Sequence, residues 1–187
     1  SASVLRFRDP RRFGWCDLLP ADDYARWSAT LAPEPFSPAL TPEWAMHRAG
    51  RASIKAVLLS GRVVVGVGNI YADEALWGAR LHPERPTERM RRADTLRLMA
   101  AVQDVMRRAL EVGGTSFDAL YVNVDGRSGY FARSLAAYGR TGQPCRRCAA
   151  EGIDSRIVRE PFMNRASHLC PRCQPTPRRR RAAAADA

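Results

Sequence analysis

Lysine is almost missing from this chain. Among 187 residues there is one, Lys55, and the other 29 of the 30 Lys and Arg residues are arginine. Histidine is nearly as scarce, at three residues. Also lacking is any apolar run near the roughly 20 residues that cross a bilayer, which argues against a spanning helix. The first residues, SASVLRFRDP, show neither a charged-then-apolar leader pattern nor an initiator methionine, and they read directly as a strand. The expectation is a piece of a longer cytoplasmic protein without a membrane partner. Acidic residues number only 19, so the formal charge is +11 and the pI near 10.4. An arginine-borne excess of this kind suits a polyanion, nucleic acid above all, with an acidic membrane surface as the rival. Hydrophobic content of 45% excludes a wholly disordered chain and leaves room for one larger domain with a small appendage.

The segment Ser53 to Ala79, SIKAVLLSGRVVVGVGNIYADEALWGA, organises the rest. Gly61, Gly66 and Gly68 punctuate a β-branched run, Val63 to Val65, that resists helix. The spacing therefore predicts a short helix from Ile54 to Leu59, a double turn, and a second helix beginning at Asn69, with Asn as a good N-cap. Glycines ahead of a helix start let the backbone approach an anion such as phosphate, and Lys55 lies near the same turn. An ordinary helical hairpin, its glycines serving only packing, is the alternative.

Upstream, Val4 to Phe7 and Phe13 to Leu18 alternate as two strands around Asp9-Pro10, with Arg11-Arg12-Phe13-Gly14 between them. Guanidiniums beside an aromatic ring suit a tip that enters a DNA groove; a solvated turn with one core Phe is the plainer reading. Four prolines between Leu31 and Pro42 mark a boundary. Thr41-Pro42-Glu43 starts a helix, with His47 a packing or surface residue. A new helical segment from Thr87 runs to Gly113-Gly114, with Leu98, Met99, Val102, Val105, Met106, Ala109 and Leu110 on its apolar face. Asp125 to Gly129 is a polar loop that either closes over a ligand or is a surface turn, and a last short helix ends at Tyr138-Gly139. The arginine and alanine tail from Arg178 should be disordered.

Cys145-x-x-Cys148 and Cys170-x-x-Cys173, with 21 residues between the pairs, form two knuckles of the spacing that tetrahedral zinc prefers. A hairpin this short has too little core to hold itself together without metal. Disulfides are the rival, disfavoured in a reducing compartment. Cys16 reads as a buried thiol and His168 as a non-ligand. Arg165, on the return strand with Phe162, Met163 and Asn164, is a candidate phosphate ligand or simply one more surface arginine.

The series RRFG at 11–14, APEPF at 32–36, VGVGNIYADEALW at 65–77, GYF at 129–131, YGRTGQPCRRC at 138–148 and NRASHLCPRCQ at 164–174 resembles, in order and spacing, the bacterial formamidopyrimidine-DNA glycosylases. The resemblance covers residues 4–177. It implies an α+β fold: the last strands of a truncated β-sandwich in 1–31, a mainly helical helix-two-turn-helix domain in 36–140, a zinc finger in 141–177 and a basic tail in 178–187. It implies that Lys55 and Asn69 contact DNA phosphates beside the damaged nucleotide. Arg165 grips phosphate and serves in strand cleavage, Arg11 and Phe13 fill the gap left by the flipped base, and Arg127 lies on the loop that closes over it. The implied cofactor is one structural Zn²⁺ on the four cysteines. The implied partner is duplex DNA with an oxidised purine or abasic site, bound by a monomer near the bacterial nucleoid. RRFG and GVGNIYADE favour this group over the endonuclease VIII type.

Two departures stand out. The stretch Ala149 to Asp154 looks a few residues longer than usual for the family. Its N-terminal proline nucleophile, the glutamate that follows and a further lysine have no counterpart here. The chain is therefore expected to bind damaged DNA for a bifunctional glycosylase and AP lyase without catalysing excision alone. A DNA-binding module with no enzyme attached and a zinc-ribbon RNA-binding protein are the alternatives, although the latter leaves RRFG and GVGN unexplained.

Overall fold

The computed structural model describes residues 16–112 and 134–177. The hairpin expected around Arg11 and Phe13, the loop carrying Arg127 and the tail from Arg178 all lie outside the described residues. The chain divides into two units, Ser1–Leu31 and Ala32–Ala187. In the first, helix α1 (Ala21–Ser28) follows Pro20, with Asp22 and Asp23 in its first turn, Arg26 paired with Asp23, and no buried side chain. Leu18, expected at the end of a strand, lies in irregular chain and is almost fully exposed. Cys16 is exposed, which corrects the expectation of a buried thiol.

The second unit is built from helices α2 (Pro42–Ala49), α3 (Ile54–Leu59), α4 (Asn69–Ala79) and α5 (Arg92–Glu111). Thr41 caps α2, its hydroxyl accepting the Trp44 N–H at 3.1 Å with Pro42 in the first turn. Trp44 then donates its indole N–H to the Val63 carbonyl at 3.1 Å, fixing the double turn against α2. Gly66 takes a left-handed conformation at φ +81°, and a Cβ there would sit 3.6 Å from the Met106 methyl. That contact would be an ordinary one, so it is the left-handed backbone that calls for glycine here.

Helix α4 is buried on nearly every side, and Gly78 lets α5 approach so closely that an added Cβ would stand 3.3 Å from the Ala101 Cβ. From α5, Leu98, Val102, Val105 and Ala109 complete the core with Ala72, Ala75 and Leu76. Burial of each larger side chain contributes about 1.5–3 kcal/mol. Leu110, placed on the apolar face by periodicity, is 70% exposed.

The segment after α4 also differs from its expectation. Thr87 opens only a short 3₁₀ turn, Thr87–Arg89, and its hydroxyl bonds back to the Gly50 carbonyl at 2.8 Å. The long helix starts later, where Asp94 accepts the Arg91 N–H at 3.2 Å to close a capping box. No helix ends at Gly139 in the described residues; 136–139 form bends and a turn. Beyond it lie α6 (Arg146–Ala150) and an antiparallel hairpin of β1 (Val158–Phe162) and β2 (Arg165–Leu169), with Phe162 opposite Arg165. Met163 and Asn164 form its turn, so Phe162 closes the outgoing strand rather than sharing the return strand with Arg165.

His82 sits where the turn after α4 meets this hairpin. It is 3% exposed, its Nδ1 accepts the Glu84 N–H at 3.1 Å, and Nε2 stands 3.8 Å from a Glu160 carboxylate oxygen. Burial pushes its pKa below the ordinary 6.5, although the carboxylates of Glu160 and Glu84 pull the other way. As pH falls below 6.5 the unfolded chain takes up a proton here before the folded one does, so stability falls with pH in that window. His82→Gln should flatten the decline. Thermal melts across that window check it, and equal slopes in both proteins would refute the assignment.

Candidate metal centre and nucleic-acid interface

Cys145 and Cys148 flank the start of α6, and Cys170 and Cys173 follow β2. All four are buried, with their sulfurs within 4.8 Å of one another. Three separations are 3.5 Å (Cys148 to Cys173), 3.7 Å (Cys148 to Cys170) and 3.9 Å (Cys145 to Cys173). Four thiolates about 2.3 Å from one ion make a tetrahedron with edges of about 3.8 Å, so the cluster fits a single metal ion. Burial opposes ionisation of Cys145, yet N–H groups of Cys148 and Trp77 among others bring its thiol down to about 7. Burial and the Cys148 thiol push Cys173 up to about 12. A cation is what allows all four sulfurs to be thiolates together. The Trp77 indole (3.4 Å to Cys145), the Ser155 hydroxyl (3.2 Å to Cys170) and the Cys173 N–H (3.4 Å to Cys170) orient the sulfurs. His168 faces away, toward Asp73.

Three polar contacts fasten this cluster to the helices. Glu74, 2% exposed, accepts the N–H groups of Ala136, Ala137 and Tyr138 at 2.7–2.8 Å. Gln174 is fully buried, accepting the Cys170 N–H at 3.0 Å and donating to the Leu81 carbonyl at 2.9 Å. Arg147 lies 4.2 Å over the Trp77 ring and donates to the Trp77 carbonyl at 3.1 Å, covering the C-terminal end of α4.

Lys55 has no exposed surface. Its ammonium meets Asp73 Oδ1 at 2.6 Å, the Ala166 carbonyl at 2.8 Å and Ser167 Oγ at 2.9 Å, with the Phe162 ring 5.1 Å away. Burial lowers its pKa, the Asp73 carboxylate opposes that, and the nearby Arg165 guanidinium adds to the lowering. Three oxygens thus surround the buried ammonium, and two of them, the Ala166 carbonyl and the Ser167 hydroxyl, accept hydrogen bonds from it. Asn69 is the first helical residue of α4 rather than its cap; the cap position is Gly68, and no side chain caps this helix start. The Asn69 amide nitrogen lies 3.4 Å from the Ala166 carbonyl, and its Oδ1 has no hydrogen-bond partner. Arg165 is exposed at the start of β2. Residues 97 positions apart in sequence, Asn69 and Ala166, thus bring the helix start and the base of the hairpin tip together.

Known proteins match this arrangement. The family model described as the formamidopyrimidine-DNA glycosylase H2TH domain matches residues 31–120. Those residues therefore resemble an H2TH domain of that family. The formamidopyrimidine-DNA glycosylase of Streptomyces coelicolor is 53% identical over 178 residues, 93% of this chain and 60% of the relative. That of Acidothermus cellulolyticus is also 53% identical, over 94% of this chain and 61% of its own length. The crystal structure of MutM (Fpg) from Thermus thermophilus superposes with a TM-score of 0.77 at 36% identity, covering 89% of this chain and 62% of that one. A Lactococcus lactis Fpg in complex with abasic-site DNA superposes with a TM-score of 0.79 at 30% identity, covering 90% and 61%. The chain spans about three fifths of the relatives it matches.

Helices α2 to α5 fall within the matched H2TH residues, whereas the four cysteines lie beyond them. Sequence reasoning missed Asp73, Glu74, Ser167 and Gln174 as the groups that seat the hairpin on these helices. The signal was present for the first two: adjacent carboxylates within an otherwise apolar helix, NIYADEALWGA, need buried partners. Metal analysis should find one ion per chain, and Cys148→Ser should lower that value. Chelation should speed amide exchange across 142–174, because metal ligation supplies about 10 kcal/mol of folding energy in small units of this kind. Unchanged exchange in metal-free protein would remove the structural role.

Proposed function

We propose that this chain is the damaged-DNA-binding part of a bifunctional glycosylase and AP lyase that removes oxidised purines, 8-oxoguanine and formamidopyrimidines, from duplex DNA. The observation that carries it is the contact of Asn69 with the Ala166 carbonyl, which sets the start of α4 against the strand that begins at Arg165, on a chain of formal charge +11. A helix start without a side-chain cap, in contact with a strand whose first residue is an exposed arginine, suits a phosphate flanking a lesion. The Lactococcus lactis relative bound to abasic-site DNA supports the choice of partner.

In this reading Asn69 and the α4 backbone hold one phosphate oxygen while Arg165 grips another from the hairpin tip and serves in strand cleavage. Lys55 supports both from behind. Arg11 and Phe13 fill the space of the everted base, and Arg127 belongs to the loop that closes over it. The metal is a structural Zn²⁺, to which four buried thiolates are well matched. It stabilises the base of the hairpin and leaves the chemistry of the sugar to a nucleophile that these 187 residues do not match. A single-stranded RNA partner fits the charge but gives no reason for the start of α4 to meet the strand that Arg165 opens.

Arg165→Ala should weaken binding to an abasic-site duplex by about 1.5–3 kcal/mol, the range for hydrogen bonds to charged groups. Arg178→Ala, which removes the same charge from the terminal arginine run, should change it little. Titrations at two salt concentrations separate the cases, and equal losses would reduce Arg165 to part of a diffuse basic surface. The same chain should bind the duplex without forming a borohydride-trapped adduct. A covalent adduct would show that a nucleophile lies within these residues after all.

A further inference from the structure

Three consecutive residues after Arg165 are each held by a group from the α3–α4 pair. The Ala166 carbonyl accepts from Lys55 at 2.8 Å, the Ser167 hydroxyl accepts from Lys55 at 2.9 Å, and the His168 N–H donates to Asp73 Oδ2 at 2.9 Å. The Phe162 ring, on the other side of the Met163-Asn164 turn, packs 5.1 Å from the same ammonium. Lys55 and Asp73 are joined at 2.6 Å, and neither has exposed surface.

We infer that the Lys55–Asp73 ion pair is the positioning device that sets the height of β2 against the start of α4, and so fixes where Arg165 reaches for phosphate. The inference rests on the phosphate-binding role proposed above and assigns its geometry to two side chains that have no exposed surface. An enclosed pair is electrically neutral from a distance and adds little field toward a ligand; its effect must pass through the strand it holds. Burying such a pair gains little stability over an apolar contact of the same volume, so it serves better as a fixed point than as glue. The two-residue turn already fixes β2 against β1, so what the pair adds is the height of the hairpin on α4; apolar side chains would offer the Ala166 carbonyl and the His168 N–H no such fixed point, and Arg165 would shift with the strand.

The test uses the zinc-loaded 187-residue chain and a duplex containing a tetrahydrofuran abasic analogue. Lys55→Met combined with Asp73→Asn removes both charges, conserves net charge and leaves an oxygen at position 73 for the His168 N–H. The double variant should keep one metal ion per chain, lose about tenfold in affinity, and lose less than about twofold more when Arg165→Ala is added. Losses that simply multiply, or an affinity like that of the unmodified chain, would overturn the inference.

Ser167→Ala takes one acceptor from Lys55 without touching charge and runs through the same cycle if the double variant does not fold. Its loss of affinity should likewise vanish in the Arg165→Ala background, and independent losses count against the device. Amide exchange at Ala166, Ser167 and His168, measured without DNA, should quicken in either variant while α5 keeps its protection. Unchanged exchange there overturns the positioning role whatever the DNA result. An unmodified chain that fails to bind the duplex would instead refute the proposed function and leave the exchange measurement to decide the positioning role.

Discussion

A lysine ammonium sealed from water at the junction of two helices and a hairpin is the constraint on which the arrangement depends. Removing one partner of the Lys55–Asp73 pair would strand a buried charge at a cost of about 3–5 kcal/mol, whereas the intact pair gains little over an apolar substitute. That asymmetry makes the contact a weak stabiliser and a strict specifier. Any packing of α3 on α4 that separates the charges is heavily disfavoured, and a β2 displaced from its observed place would take the Ala166 and Ser167 oxygens away from the buried ammonium.

The metal cluster and helix α4 divide the remaining work. A two-stranded hairpin of five residues per strand cannot support itself. Its cysteine base supplies internal order, and α4 supplies attachment. Along one helix, Asp73 takes the β2 backbone, Glu74 takes three N–H groups of 136–138, and Trp77 offers its indole to Cys145 and its ring to Arg147. These residues occupy successive positions around the helix. An α4 amphipathic in the usual sense would have one wet face; here the polar groups face protein and are matched there.

Much of this was legible in the residues. The bounds of α3 follow from the β-branched run and the glycines around it, and Asn69 opens α4 as read, although as its first residue rather than its cap. The cysteine spacing implied a four-sulfur cluster because ligand spacing is a local property. What the sequence concealed depends on long-range partners. No local pattern says that the one lysine is buried, since a cation near a glycine turn equally suits a phosphate; only the carboxylate 18 positions on and the strand 111 positions on decide it. Thr87 looked like a helix start, but its hydroxyl is held by carbonyls near residue 50. The run from Leu135 to Tyr138 looked helical because Ala and Leu favour helix, yet its N–H groups are taken by Glu74, a side chain outside the segment.

The scarcity of lysine acquires a physical sense from this division. Arginine serves the surface of the chain, where a planar fork can pair with phosphate or cover a ring, as Arg147 does over Trp77. The interior position needs a compact cation with three donors on a slender stem, because Asp73, the Ala166 carbonyl and the Ser167 hydroxyl converge on a single point. A guanidinium spreads its five donors over a plane and would leave some of them unpaired in so small a space. The one site that calls for lysine chemistry is the one that holds lysine, and it lies directly behind the arginine that the hairpin presents to solvent.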